Sequence, residues 1–135
     1  VKAGRYEEAL QLFFKLDYET PEDDGIVVSS IAATAFALDK LDIAERYTEK
    51  ELQQTKGKQW QAHLRAGHIK LIQNNWKQAL DNYEQFVNTF CEETGKDAKA
   101  ALAVFNDEEE TLISKGIAKD DILLIHDILQ SAVLK

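Results

Sequence analysis

Apolar residues recur every three to four positions along most of this chain, the spacing of one helix face. Tyr6, Leu10, Phe13 and Phe14 predict a helix from about Ala3 to Leu16, with Glu7 and Glu8 turned away. Asp17-Tyr18-Glu19 then reads as a turn. Thr20-Pro21-Glu22-Asp23 reads as a helix start, with a hydroxyl cap, proline at the first position and acids in the first turn. The helix it opens, about Glu22 to Leu38, is apolar nearly all round its alanine-rich middle, so it should be covered on more than one side. Ile43, Ala44, Tyr47 and Leu52 mark a third helix from about Asp42 to Thr55, ended by Lys56-Gly57-Lys58. Trp60, Leu64, Gly67, Leu71 and Ile72 mark a fourth, from about Gln59 to Gln73. Leu80, Tyr83, Phe86, Val87 and Phe90 mark a fifth, from Trp76 to Glu93, ended by Thr94-Gly95-Lys96. Ala98, Ala101, Leu102, Phe105 and Leu112 predict one continuous helix across Asp97 to Ser114, with Gly116 as its C-cap. Ile122, Ile125, Leu129 and Val133 stripe a last helix from Lys119 to Leu134.

A longer period lies over this one. Ala9, Ala44 and Ala79 stand 35 residues apart. Five residues before each is a small or turn-forming residue (Gly4, Asp39, Asn74), and three before each a large apolar one (Tyr6, Leu41, Trp76). Self-similarity at 20–50 residues is the mark of stacked helical repeats. The next step of 35 lands on Thr111 and Ser114, where the large apolar residue is missing and the frame is lost. Residues 97–135 therefore read as a two-helix cap over the last open face.

These frames resemble the tetratricopeptide repeat, a pair of helices in 34 residues. Gly4-Arg5-Tyr6-Glu7-Glu8-Ala9-Leu10 with Phe13 is similar to the second helix of such a pair, and Pro21 falls at the place of the inter-repeat proline. Gly67 matches the small position of the first helix; Trp76, Ala79 and Tyr83 match positions of the second. The resemblance covers residues 4 to about 90, as a half-repeat (3–17) and two whole ones (21–56 and 58–94). The period is one residue longer than the family's, Ala32 replaces the glycine of the first whole pair, Thr48 stands where an aromatic is usual, and Glu51 and Phe86 where a small residue is usual. What the resemblance implies is an all-α, right-handed superhelical solenoid of about seven helices with a C-terminal helical cap. It also implies that Gly4, Tyr6, Ala9, Phe13, Leu41, Ala44, Gly67, Trp76, Ala79 and Tyr83 serve packing between helices. The tail, with Phe105, Asp107, Leu112, Gly116-Ile117 and Asp120-Asp121-Ile122, resembles uncharacterised bacterial repeat proteins, which implies no known activity.

In this family the first helix of each pair lines a concave face. Carried over, that face holds Ile26, Ser29, Ala33, Phe36 and Ala37, then Gln61, Leu64, His68, Leu71 and Ile72. The Lys, Arg and Asn set with which some members grip a peptide carboxylate is missing from these positions. The groove is instead apolar with polar edges, suited to an amphipathic helix or an extended apolar peptide. The expectation is a non-catalytic scaffold or adaptor touching its partner through Phe36, Leu64, His68 and Ile72, with Ser29 and Gln61 at the edge. The alternative is a chaperone or assembly factor shielding an apolar client segment, as some bacterial secretion chaperones with this repeat do.

Composition narrows the partners. Among 135 residues, 24 acids face 16 bases, a net charge of −8. Nucleic acid and anionic membrane require clustered Lys or Arg, so neither is expected as a partner. The longest apolar stretch, Ile26 to Leu38, is too short to span a bilayer, and no leader is visible. A single cysteine and no disulfide framework fit a cytoplasmic setting. The chain has no methionine and opens inside a repeat, so it reads as a piece of a longer protein whose exposed first helix is a site for self-association.

Candidate chemistry is sparse. His63 and His68 are five residues apart, ~140° around a helix axis, and so do not share a face for a metal. His126 is remote in sequence. Cys91 lies among Phe90, Glu92 and Glu93, where acids oppose thiolate formation. Asp107-Glu108-Glu109-Glu110 lacks the alternation of a calcium loop and reads as a solvated helix face or a patch for a basic partner. No phosphate-cradling loop or nucleophile motif is present, and neither a catalytic residue nor a cofactor is expected.

Overall fold

The computed structural model describes residues 2–19 and 26–133. Their regular structure is entirely helical: α1 (Lys2–Glu19), α2 (Ile26–Ala37), α3 (Leu41–Gln54), α4 (Trp60–Ile72), α5 (Trp76–Thr94), α6 (Ala98–Asp107), α7 (Glu109–Ser114) and α8 (Lys119–Val133). The chain divides into two compact units, Val1–Gly57 and Lys58–Lys135.

Each unit contains one helical hairpin, and the two hairpins turn in the same way. Asp39 and Asn74 both adopt the left-handed conformation, at φ +60° and +63°. In the first turn the Asp39 amide donates to the Phe36 carbonyl (3.1 Å) and the Lys40 amide to Ala35 (2.9 Å). In the second, Asn74 donates to Leu71 (3.0 Å) and Asn75 to Lys70 (2.8 Å). Every bond is displaced by 35 residues. A left-handed residue closing the last helical turn in this manner satisfies carbonyls that would otherwise have no partner. Aspartate and asparagine fill the position because, after glycine, they visit that region most readily. The following helices also start alike, with Ala44 donating to Lys40 and Ala79 to Asn75. The sequence period is thus a period of backbone geometry.

In the first unit, α2 packs against α1 on one side and α3 on the other. Val28, Ile31, Ala32 and Ala35 are all fully enclosed, as the nearly all-round apolar sequence of α2 requires. Ala44 is buried too, while Ala9, Phe13 and Leu41 are half-buried. Phe14 of α1 meets Tyr47 of α3 with ring centroids 5.8 Å apart. Gly4 and Tyr6 fall in α1, but their packing lies outside the described residues, as does the Thr20-Pro21-Glu22-Asp23 helix start.

In the second unit, α4 and α5 form the hairpin and α6 and α8 pack against α5. Their shared core holds Leu64, Leu71, Ala79, Tyr83, Phe86, Val87, Phe90, Phe105, Leu112, Ile122, Ile125 and Leu129, with Trp60 and Trp76 half-buried at its edge. Trp60 sets its ring edge against Phe90 at 5.1 Å.

Two expectations are corrected. Asp17-Tyr18-Glu19 is not a turn: α1 runs through Glu19. Nothing there stops a helix until Pro21, which disfavours helical backbone only at the residue before it. The helix expected across residues 97–114 is two helices, broken at Glu108. Asn106 and Asp107 are poor helix formers. Beyond the break, Glu109 and Glu110 lie in the first turn of α7, where carboxylates face the positive end of the helix dipole. The acid run therefore straddles two helices instead of lining one face.

Candidate functional site

The polar interior of the second unit is centred on α4 and α5. Gly67 carries no side chain, and the Tyr83 ring occupies the space. A Cβ at residue 67 would lie 2.5 Å from Cδ1 and Cε1 of that ring. Tyr83 consequently lies flush on α4, and its Oη is 2.8 Å from Nδ1 of His68. Phe105 of α6 closes the cluster, edge-on to Tyr83 at 5.1 Å and 6.3 Å from the His68 ring.

Burial decides the charge state of both partners. It holds His68 down to about 3, with the nearby Arg65 charge acting in the same direction. It pushes the Tyr83 phenol well above its usual range, with Glu108 adding to the effect. Glu108 is itself raised, first by burial and then by Asp107, against the opposing pull of Arg65. A neutral imidazole and a neutral phenol share one hydrogen bond here. The His68–Tyr83 pair joins α4 to α5 through this buried hydrogen bond.

The predicted groove residues separate into two classes. Phe36, Leu64 and His68 are only 8, 4 and 3% exposed. They are interior side chains and offer no open surface for a partner, which corrects their expected role as contacts. The reason for Leu64 and His68 is tertiary: both belong to the side of α4 covered by its own unit, Leu64 in the shared core and His68 beneath Phe105. Ser29 and Ile72 are half-buried, and Gln61, Ala33 and Ala37 are exposed. Of the packing set, Ala44, Gly67, Ala79 and Tyr83 are buried.

Other candidates resolve simply. Among the described residues, no three His, Cys, Asp or Glu side chains are placed to hold a metal ion. His126 lies on α8, with Nδ1 3.8 Å from Asp127. Burial, helped by Asp97, pushes the Cys91 thiol up and keeps it protonated. Among the described residues, Asp39, Lys40, Leu41, Asp42 and Ile43 line a shallow depression at the turn into α3. Among the described residues no helix is long and apolar enough to cross a membrane.

One contact gave no sequence signal. The Trp60 amide, in the first turn of α4, donates to Glu93 Oε1 at 2.9 Å. Gln59, the residue before the helix, makes no side-chain cap, so the far end of α5 caps the start of α4. The partner is 33 residues away, beyond any local capping pattern.

The chain matches no family model, no curated protein and no solved structure.

Proposed function

We propose that this chain is a tetratricopeptide-type helical-repeat module that binds another protein and performs no chemistry of its own. The observation that carries this reading is the identical turn of the two hairpins, bond for bond at a spacing of 35 residues. Backbone geometry that repeats at such a spacing is characteristic of solenoids, whose stacked units present extended binding surfaces. Stacking of the hairpins as a right-handed superhelix belongs to the same proposal. So does the contact surface, which would use the accessible positions Ser29, Ala33 and Ala37 of α2 and Gln61 and Ile72 of α4. Phe36, Leu64 and His68 act behind it, holding the helices that carry it.

The test has two steps. Proteins cross-linked to the chain in source-cell lysate are identified, then purified and titrated against it by calorimetry. A saturable complex with simple stoichiometry, weakened tenfold or more by Gln61→Glu/Ile72→Ser in a chain whose helicity is intact, is the expected result. Equal binding by wild type and variant would remove the groove assignment, and no saturable partner would remove the adaptor function.

A further inference from the structure

The outer face of α8 combines two features that seldom occur together on a solvated helix. Leu123 and Leu124 are each 50% exposed, and Ile128 is 36% exposed. Ile122, Ile125 and Leu129 already supply the buried stripe of this helix, so the three exposed aliphatics are surplus to the fold. Leu124 and Ile128 are four residues apart and form a ridge along one line of the surface. At 100° per residue, Asp120 and Asp127 fall between Leu123 and that ridge, and Asp121 falls on its other side.

The neighbouring chain sharpens this acidity. Residues 107–133 contain seven acids and two bases, a net of −5, whereas residues 58–106 contain five acids and six bases, a net of +1. α7, which packs against α8, contributes exposed Glu110, and Oε1 of Glu109 is buried with no hydrogen-bond partner among the described residues. Leu124 and Ile128, exposed side by side on one line, give α8 an apolar surface that its core does not use. Carboxylates on both sides of the ridge select a cationic partner and reject an acidic one.

We propose that the outer face of α8 docks a basic amphipathic helix, seating its apolar stripe on the Leu124–Ile128 ridge and pairing its Lys or Arg flanks with Asp120 and Asp127 on one side and Asp121 on the other. This rests on the reading of the chain as a protein-binding module, but it uses a surface distinct from Gln61 and Ile72. Aliphatic contact supplies the affinity, and the carboxylates supply the choice of partner and the speed of encounter.

The probe is a fluorescein-labelled 14-residue helix of Leu and Lys with all its leucines on one face, beside a twin in which every Lys is Glu. Anisotropy titrations of the full chain should show saturable binding of the Lys peptide only, weakening as salt is raised. Leu124→Ser/Ile128→Ser should weaken it at least tenfold, and Asp120→Asn/Asp127→Asn about fivefold. Asp81→Asn/Glu84→Asn, an equal loss of exposed charge on α5, should leave it within twofold. All these side chains are exposed, and circular dichroism checks that each variant keeps its helices. Binding unchanged by the Leu124/Ile128 pair, or lost equally with the α5 pair, would show attraction to net charge alone and overturn the proposal. So would sedimentation showing a wild-type dimer dissolved by Leu124→Ser/Ile128→Ser, which would give the face to a second copy. Loss through Gln61→Glu/Ile72→Ser with the α8 variants unaffected would refute the α8 site and leave the groove standing.

Discussion

The hairpins α2–α3 and α4–α5 share a turn but fill the same layer with different side chains. Thr48 and Glu51 of α3 stand 35 residues before Tyr83 and Phe86 of α5, and all four are buried. Ala32 of α2 likewise stands 35 residues before Gly67 of α4. The substitutions are matched. Where the second helix carries a large ring, the first gives up its Cβ; where the second carries threonine, the first keeps it. Ala32 and Thr48 hold the positions that correspond, 35 residues on, to Gly67 and Tyr83. The comparison teaches that the turn is the constant part of the repeat, while the layer between the helices is filled by size compensation. It also separates two kinds of core. The second hairpin closes on an aromatic cluster, whereas the first encloses a carboxylate, whose burial costs free energy unless its oxygens are hydrogen-bonded.

The largest expected effect lies in that layer. Phe86→Ala should cost about 3–5 kcal/mol, from lost burial and the cavity left behind. Thr48→Ala, in the same layer of the other hairpin, should cost only roughly 1 kcal/mol. Urea denaturation of the full chain measures both, and equal costs would erase the distinction between the two cores.

Next is the size compensation. Gly67→Ala forces the Tyr83 ring to move and should cost about 1–3 kcal/mol. In a Tyr83→Thr background the same change should cost almost nothing. A double-mutant cycle reads this coupling, and additive costs would show that Gly67 is there for some other reason.

The third effect depends on pH. His68 titrates near 3 in the folded chain and ordinarily at 6.5. The unfolded chain therefore binds a proton that the folded chain refuses between those values. Stability contributed by His68 is fully present above pH 6.5 and falls as pH falls through this window, by up to about 1.4 kcal/mol per pH unit. Glu108, raised above its usual range, acts in the opposite sense and gains on protonation. Subtracting the profile of His68→Gln isolates the histidine, and a difference that stays flat from pH 6.5 to 4 would disprove the assignment. Thr48, which stands in the first hairpin where Tyr83 stands in the second, carries no titrating group, so Thr48→Ala should leave the slope unchanged.

The smallest effects concern helix ends. The turn after α3 passes through Lys56 at φ +56°, and α5 is capped by Gly95 at φ +72°. Lys56→Gly should stabilise by about 1 kcal/mol by relieving the strained side chain, and Gly95→Ala should destabilise by a similar amount. Thermal unfolding midpoints moving in opposite directions would confirm the pair.

Much of the helical layout was legible because helix formation is local. The apolar spacing of α3, α4, α5 and α8 placed each within about two residues of its observed ends. Asp39 and Asn74 stood out because few residues tolerate a left-handed turn, so the need for one leaves a trace in residue type. The break at Glu108 was hidden, since Phe105 and Leu112 are seven apart and would share a face in an unbroken helix. The capping of Trp60 by Glu93 was hidden as well, because its partners are far apart in the chain.

The sequence by itself determined which segments are helices, where the hairpins turn, and that the turns recur every 35 residues; these follow from backbone sterics and a 3.6-residue period acting over short stretches. Only the tertiary structure decided which face of each helix is inside. Phe36, Leu64 and His68 look like groove residues along the chain, yet they are interior. Periodicity says that a helix has an apolar side but not which other helix arrives to cover it, and that depends on contacts between residues distant in sequence.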